Sequence, residues 1–164
     1  HWSVVVLRKP LVYDELIGES FMRVICFLLI LIGLDANAAT FSPSQVAVVK
    51  YFDFFNGSDR DALNKATSSP FVLNIAGVTT SYEKYGDAVD FDGLRKTGWS
   101  YSSIRKNESI YEDEATAMVG INFTRYTEAG DVLSISDVVY VLVMEEGQWK
   151  LKAGFVNGNL SLGK

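Results

Sequence analysis

The fold is decided by a stretch near the end of the sequence, YVLVMEEGQWKL at residues 140–151. It joins two apolar runs through an acidic, glycine-containing turn, which is the pattern of a β-hairpin. Toward the beginning of the sequence, the same period-two pattern returns in further segments, which are separated by short turn sequences. Strands joined in this way are antiparallel neighbours. The sequence therefore predicts a long meander with strands at 101–112, 114–126, 132–144 and 148–156.

One face of this sheet is expected to be apolar. In the second strand of the meander, apolar side chains from Ala115 to Phe123 alternate with a mixed set from Thr116 to Thr124. Successive side chains of a strand point to opposite faces, so the odd positions share one face. The last strand repeats the pattern with four apolar residues separated by lysines: Trp149, Leu151, Ala153 and Phe155, with Lys150 and Lys152 among them.

A helix is predicted to begin directly after Ser42. The hydroxyl of Ser42 can cap the helix, Pro43 suits its first position, and Gln45 completes a capping box. Phe41 can pack against Val46 across this cap. The sequence therefore predicts a helix start at this point, ahead of a run of apolar and aromatic residues.

This first helix is predicted to end near Phe55, because Asn56 and Gly57 follow and glycine adopts the left-handed conformation that ends helices. The elements expected next are a short helix that opens at 58–61 and ends before Pro70, a strand at 71–75, a turn at Gly77 and a helix over 82–96. Helices followed by a meander predict an α+β domain in which the helices pack on one face of a curved sheet.

The beginning of the sequence has the three-part layout of a secretory signal peptide. Met22 and Arg23 precede an apolar run at 24–34, and Ala-Asn-Ala follows at 36–38. A membrane anchor is the alternative, but the run is shorter than the ~20 residues that a spanning helix needs. We therefore predict a secreted or periplasmic protein with no stable membrane anchor after processing. The predicted division is an upstream extension at 1–21, a signal peptide at 22–38 and one domain at 39–164.

Composition excludes several kinds of site from the predicted domain. The sequence holds one His and one Cys, His1 and Cys26, and both precede residue 39. His-ligated metals, thiolate zinc sites, Cys nucleophiles and Ser-His-Asp triads are therefore not expected, and neither a metal nor a cofactor is predicted. The formal net charge of −5 repels phosphate backbones, so no nucleic-acid partner is expected.

The order of elements resembles the nuclear transport factor 2-like superfamily, which has a cystatin-like α+β fold. The resemblance covers 45–156, and the apolar strand, acidic glycine turn and tryptophan at 140–151 are similar to the superfamily's common ending. It implies a cone-shaped, strongly curved antiparallel sheet wrapped around an N-terminal helix, with two further helices, an apolar pocket and often a homodimer. The superfamily includes SnoaL-like and ketosteroid isomerase-like enzymes and many domains without known catalysis, so the fold alone does not decide the function.

Asp137 is the first candidate for the interior of this cone. It shares its parity along the strand with four apolar residues, which predicts that its carboxylate faces the pocket: Ile135, Val139, Val141 and Val143. Desolvation there would raise its pKa, as happens to carboxylates in functional pockets. The alternatives are an Asp bonded to nearby backbone and an Asp in a subunit interface.

Tyr51 is the natural companion of Asp137. The sequence YFDFFNG at 51–57 is similar to the ketosteroid isomerase helix that carries an oxyanion-hole tyrosine, and Asp137 falls near that family's oxyanion-hole acid. The resemblance implies that such a pair stabilises an enolate, so Tyr51 and Asp137 are the candidate catalytic residues. A core aromatic is the alternative for Tyr51.

Asn74 departs from that family's pattern. The catalytic base of the ketosteroid isomerases falls on or beside Asn74, and a carboxamide cannot abstract a proton. Catalysis would then need a different base, for which Asp53 and Glu83 are candidates. The balance of these observations favours a protein that is not an enzyme.

Other residues are predicted to line the pocket or its rim. Tyr82, Tyr85 and Trp99 bracket the third predicted helix and face the pocket mouth, with core packing as the alternative. Arg125 is either a partner for a ligand carboxylate at the rim or a solvated cation at the end of its strand. The predicted ligand-binding residues are Tyr51, Asn74, Tyr82, Trp99, Asn122 and Asp137.

The leading hypothesis is an exported, non-catalytic domain that binds a small apolar or amphipathic molecule in its cone and forms a homodimer through the exposed sheet face. One alternative is a lyase or isomerase that uses Tyr51 and Asp137. Another is a structural or partner-binding dimer. A filled interior and a large apolar patch on the sheet would favour that last hypothesis.

Overall fold

The first helix begins where the sequence predicts. In the computed structural model, which describes residues 40–158 and 160–164, helix α1 is Pro43–Asn56. The Ser42 hydroxyl accepts from the Gln45 amide at 3.4 Å, and the Gln45 side chain accepts from the Ser42 amide at 2.8 Å. This confirms the capping box. Gly57 stays right-handed with φ −73°, whereas Ser58 has φ 55°, so the expectation of a left-handed Gly57 is wrong by one residue.

A short helix and a hairpin follow α1. Helix α2 is Arg60–Ala66, and the Asp59 carboxylate caps it by accepting from the amide of Ala62 at 2.9 Å. Strands β1, Thr67–Ile75, and β2, Val78–Tyr82, form the hairpin. Strand β1 begins four residues before the predicted strand, directly after α2.

The helix predicted over 82–96 is two helices. They are α3, Tyr85–Ala88, and α4, Phe91–Lys96. Asp90 divides them because its side chain caps α4 by accepting from the amide of Gly93 at 2.9 Å. The backbone N–H of Asp90 instead donates to the carbonyl of Leu162, far away in sequence, at 2.8 Å. The break between the two helices therefore depends on a partner that is distant in sequence, and the local sequence pattern does not reveal it.

The four strands of the meander lie close to their predicted positions. They are β3 Tyr101–Glu112, β4 Thr116–Tyr126, β5 Val132–Glu145 and β6 Gln148–Asn157. The sheet has the order β2-β1-β6-β5-β4-β3 and is not closed. Its pairs are antiparallel except for β1 with β6, which are parallel. Bulges interrupt several of these pairs and bend the strands, giving the predicted α+β fold with a curved, mostly antiparallel sheet.

Helix α1 packs on one face of this sheet, which we call the inner face. The odd positions of β4 lie on it, and the ring of Phe123 meets that of Phe52 from α1 at 5.2 Å between centroids. The β5 positions that pair with those residues are even-numbered, and those from Ser136 to Leu142 are also buried. The inner-face residues of the two strands are Ala117, Val119, Ile121, Phe123 and Arg125 on β4, with Ser136, Val138, Tyr140 and Leu142 on β5.

The predicted face of β6 is wrong beyond Leu151. Leu142 pairs with Leu151, but Val141 pairs with Ala153, so Lys152 is an extra residue in a β-bulge. The bulge shifts the alternation by one position. Val156 is therefore buried on the inner face, whereas Phe155 is 50% exposed on the opposite face, which we call the outer face.

The extension predicted at 1–21 and the signal peptide predicted at 22–38 lie outside the described residues. Within 40–158 and 160–164, no helix has the length and apolar character needed to cross a membrane.

Candidate functional site

A small cavity lies between α1 and the inner face of the sheet, and we call it the chamber. Its volume is about 20 Å³, which is enough for one water molecule and too little for a metabolite, so the interior is nearly filled and the ligand-sized pocket implied by the resemblance is not formed here. The polar groups in its wall are hydroxyls and one guanidinium. The lining residues are Tyr51, Phe52, Phe55, Tyr85, Ser102, Phe123, Arg125, Tyr140 and Leu160.

Three buried tyrosines meet at the chamber, each from a different element. Tyr51 comes from α1, Tyr85 from α3 and Tyr140 from β5. The hydroxyl of Tyr51 donates to that of Tyr85 at 3.0 Å, and the rings of Tyr51 and Tyr140 lie 5.6 Å apart. Burial raises the pKa of Tyr51 well above its ordinary value, that of Tyr85 to about 12, and that of Tyr140 as well. All three phenols are therefore neutral near pH 7.

Arg125 is a buried cation in the same wall. Its residue is 7% exposed, so the sequence-based alternative of a solvated cation at the strand end is wrong. One terminal nitrogen, Nη1, donates to the carbonyl of Ser161 at 2.7 Å, and the guanidinium lies 5.8 Å from the ring centre of Phe55. The Nε of Arg125 makes no hydrogen bond to any described residue. Burial lowers the pKa of Arg125, yet an arginine side chain remains charged.

The signal for this inward position was present in the sequence. The alternation from Ala115 to Phe123 continues through Arg125, which therefore shares the inner face. Because Arg125 is charged, the apolar pattern ends at Phe123, and the inward position of Arg125 was not predicted. Tyr140, whose neighbours are apolar on both sides, was also missed.

The chamber is covered by residues 160–164, which we call the closing segment. Leu160 contributes a side chain to the chamber, and Ser161 holds Arg125 through its carbonyl. The carbonyl of Leu162 accepts from the amide of Asp90 at 2.8 Å, and Leu162 is 9% exposed. These contacts join the closing segment to β4 and to the start of α4.

Three of the predicted site residues lie at or near the chamber. Tyr51 lines it. Tyr82 is half-buried and contacts Tyr85 with 5.7 Å between ring centres. Trp99 is buried, packs against Phe55, and donates from its indole nitrogen to the Ser102 hydroxyl at 3.1 Å. Tyr82 and Trp99 thus support chamber residues without lining the chamber.

The orientation predicted for Asp137 is wrong. Asp137 is exposed on the outer face, where its carboxylate accepts from the Asn122 side chain at 2.8 Å. Strand β5 has apolar residues at both odd and even positions, because Val138 and Tyr140 alternate with the odd-numbered apolar residues Ile135 to Val143. Parity alone therefore does not identify the inner face. Asn122 lies beside Asp137 on the same outer face.

Asn74 lies at the end of β1 and not in the chamber. Its side chain donates to the Thr79 hydroxyl at 2.7 Å and accepts from the Gly77 amide at 3.2 Å. These bonds hold the β1–β2 hairpin. Asn74 therefore has a local structural role in this position.

The constellation on which catalysis was predicted to depend does not assemble. Tyr51 faces the chamber, whereas Asp137 lies on the other side of the sheet. The alternative bases are also elsewhere: Asp53 lines an open groove beside α1, and the exposed Glu83 accepts from the Ser69 hydroxyl. None of the described residues that line the chamber is a carboxylate.

The outer face carries exposed apolar side chains around the Asp137–Asn122 pair. Ile110 is 57% exposed and Ile135 59%, and a shallow groove of about 200 Å³ runs beside Phe155. The groove also contains Lys106 and Glu108 at its rim. Exposed apolar side chains thus lie on β3, β5 and β6 of this face, with the polar pair among them.

Within the described ranges, no group of three or more His, Cys, Asp or Glu residues is arranged to hold a metal ion.

Comparison with solved structures confirms the fold expected from the resemblance. A protein of unknown function with a cystatin-like fold from Nostoc punctiforme aligns with a TM-score of 0.60 at 10% identity, over 73% of this chain and 90% of that one. A nuclear transport factor 2-like protein with a cystatin-like fold from Novosphingobium aromaticivorans aligns at 0.58 and 12% identity, over 87% and 89% of the two chains.

A candidate ketosteroid isomerase from Shewanella frigidimarina aligns with a TM-score of 0.55 and 11% identity, over 71% of this chain and 95% of that one. At such identities the likeness shows the nuclear transport factor 2-like fold and does not extend to activity. No model of a protein family matches the sequence. None of the curated proteins matches it either.

Proposed function

We propose that this nuclear transport factor 2-like domain binds a small amphipathic molecule in the chamber. The observation that carries the proposal is the convergence of three neutral phenols and a buried guanidinium in a wall that is otherwise aromatic. Binding sites for small molecules combine a mostly apolar lining with a few placed polar groups. Because its volume of about 20 Å³ is too small for a metabolite, the chamber must enlarge before a ligand enters.

The closing segment provides that enlargement, because its docking is energetically marginal. Burial of Leu162 and part of Leu160 contributes about 3 kcal/mol. The bonds to Asp90 and Arg125 contribute roughly another 3 kcal/mol. Ordering five residues costs about 1–2 kcal/mol each, so the two sides balance to within a few kcal/mol. The segment should detach far more easily than the sheet unfolds, and its departure removes the Leu160 side chain from the chamber.

Binding is favoured over catalysis because the chamber lacks a base. Proton abstraction needs a group with a basic lone pair in reach of the substrate. The tyrosines keep their protons near pH 7, and Arg125 remains cationic. These groups donate hydrogen bonds to a ligand and orient it, which is sufficient for recognition.

Ligand retention by two variants tests the proposal. The full chain is incubated with a lipid and metabolite extract, repurified, and examined for retained molecules by mass spectrometry. Leu160→Ala removes a chamber side chain and should increase the amount retained, whereas Ile135→Ala, on the outer face, should leave it unchanged. If Leu160→Ala retains no more than the unmodified protein, the chamber is not the binding site.

We also propose that two copies of this domain associate through the outer face. The observation that favours it is the exposure of Ile110, Ile135 and Phe155 on one surface, since exposed apolar side chains gathered on one face are typical of interaction sites. A two-fold axis would bring each patch against its copy.

Sedimentation velocity over a range of concentrations tests this association. Phe155→Asp places a charge in the patch and should shift the protein toward the monomer. Val78→Asp, which alters an exposed apolar residue at the tip of the β1–β2 hairpin, is the matched control and should not. Equal sedimentation of the two variants and the unmodified protein would exclude the outer face as the interface.

Export remains part of the proposal and rests on the signal-peptide layout at 22–38. N-terminal sequencing of the protein recovered from the medium or periplasm should find the chain beginning near residue 39. Recovery of the chain from the cytoplasm alone, with 22–38 intact, would contradict export.

A further inference from the structure

We infer that the ligand of the chamber is an organic acid whose carboxylate binds Arg125, an inference that rests on the proposed binding of a small molecule there. Arg125 is 93% buried and its Nε has no hydrogen-bond partner among the described residues. A buried donor without a partner destabilises a protein, and a buried charge without a counter-charge does so more strongly. An anion would supply both the missing hydrogen-bond acceptor and the missing counter-charge.

The surrounding protein does not supply that anion. No described carboxylate forms an ion pair with Arg125; the ion pairs of the described chain involve Arg95, Lys106 and Lys150. The three tyrosines beside it are neutral at ordinary pH. The partner that Arg125 has is the carbonyl oxygen of Ser161, which carries only a partial charge.

The geometry of the guanidinium favours a carboxylate. Nε and a terminal nitrogen of arginine form a planar fork that matches the two oxygens of a carboxylate. The Ser161 carbonyl is bound at 2.7 Å by Nη1, which lies on the opposite side of the guanidinium from the Nε–H, so Ser161 does not occupy the fork that Nε forms with Nη2. A carboxylate that engages Nε and Nη2 therefore leaves the Ser161 bond in place, and binding is coupled to the closing segment through the Leu160 side chain, which must leave the chamber.

The chamber wall favours a monoanion with an apolar body. One guanidinium balances one negative charge, whereas a dianion such as phosphate would leave a second charge among aromatic rings. The rings of Phe52, Phe55 and Phe123 line the remainder of the chamber and suit an aromatic or branched aliphatic group. The hydroxyl of Tyr85, which accepts from Tyr51, keeps its own proton to donate near the same wall.

Phenylacetate and its neutral analogue phenylacetamide test the inference. Binding of each is measured by calorimetry to the full chain and to the Leu160→Ala variant. The acid should bind at least about tenfold more tightly than the amide, which is the factor expected from one charge-assisted pair. In ¹⁵N-labelled protein, the Nε–H signal of Arg125 should shift when the acid is added and not when the amide is added.

Substitutions of Arg125 provide the matched comparison. Arg125→Gln should abolish the preference for the acid, and Arg125→Lys, which keeps the charge but loses the fork, should reduce it. Arg105→Gln removes an exposed arginine of β3 and should leave the preference intact. The Nε–H measurement is made on the unmodified protein, so it decides the question if Arg125→Gln unfolds.

The outcomes separate the two proposals. If the amide binds as tightly as the acid and the Arg125 signal does not move, the carboxylate assignment is wrong while ligand binding in the chamber stands. If neither compound binds the full chain or the Leu160→Ala variant, binding in the chamber is itself refuted. Phosphate that competes with phenylacetate at equal concentration would overturn the preference for a monoanion.

Discussion

Replacing Gly93 by alanine should release the closing segment without altering any residue of the chamber. A Cβ added to Gly93 would lie 2.0 Å from the carbonyl oxygen of Gly163, whereas ordinary contacts begin at 3.4 Å. One of the two backbones must therefore move, and the Asp90 carboxylate, whose Oδ2 lies 2.6 Å from the same Cβ, must also shift. Helix α4 is fixed by the buried Phe91 and Leu94, so the closing segment is the part expected to leave.

The expected change in overall stability is small. Alanine in place of glycine stabilises a helix by about 0.5–1 kcal/mol. Loss of the closing segment costs only the small difference between its contacts and its ordering entropy. The free energy of unfolding should therefore change by less than about 2 kcal/mol, because the two effects oppose each other. Ligand binding should strengthen, since the ligand no longer displaces the segment.

Amide hydrogen exchange distinguishes release of the segment from damage to the helix. The Asp90 amide donates to Leu162, and the Leu94 amide donates to Asp90 within the turn of α4. In Gly93→Ala, exchange should become faster at Asp90 and remain slow at Leu94.

Gly57→Ala is the control, because Gly57 has a right-handed φ of −73° and its nearest neighbouring atom lies 3.4 Å from the added Cβ. It should change neither amide. Unchanged exchange at Asp90, or faster exchange at both amides with a loss of several kcal/mol, would refute the view that the closing segment yields.

Three further predictions concern stability. The pKa of Tyr85 is about 12 in the folded protein and near 10 in the unfolded chain. The contribution of neutral Tyr85 to stability is therefore complete below about pH 10 and is lost as the pH rises toward 12. Urea midpoints should fall over that pH interval, and they should fall less in Tyr85→Phe. Ser42→Ala removes the helix cap and should lower the free energy of unfolding by about 1 kcal/mol in urea titrations. Gly154→Ala places a Cβ 3.0 Å from the Tyr140 ring, so overpacking should cost about 1–3 kcal/mol by thermal unfolding; a stabilised variant would contradict this packing.

Local signals in the sequence were sufficient for most of the fold. The cap at Ser42 located the start of α1, and two-residue alternation located all four strands of the meander. The break between α3 and α4 was not predictable in this way. It depends on the Asp90 bond to Leu162, and such a contact exists only after the chain has folded.

The candidate site was harder to predict because alternation does not say which face is covered. In β4 one parity is apolar and the inner face was evident, but in β5 both parities are apolar and Asp137 was assigned to the wrong side. The burial of Arg125 was not predicted, for a related reason. A charged residue at a strand end resembles a solvated one until the closing segment is seen to cover it.

The bulge in β6 has a consequence for related chains of different length. Leu151 and Gly154 both lie on the inner face, with Lys152 and Ala153 between them, so loss of Lys152 alone would leave every neighbouring side chain on its present face. Loss of Ala153 would have the same effect only if Lys152 moved into the position opposite Val141. A bulged strand bends more than a regular one, so a chain lacking this residue should have a straighter β6 and a wider cone. Deletion of a single residue at this position would therefore change the curvature of the sheet without reversing the faces on which its side chains lie.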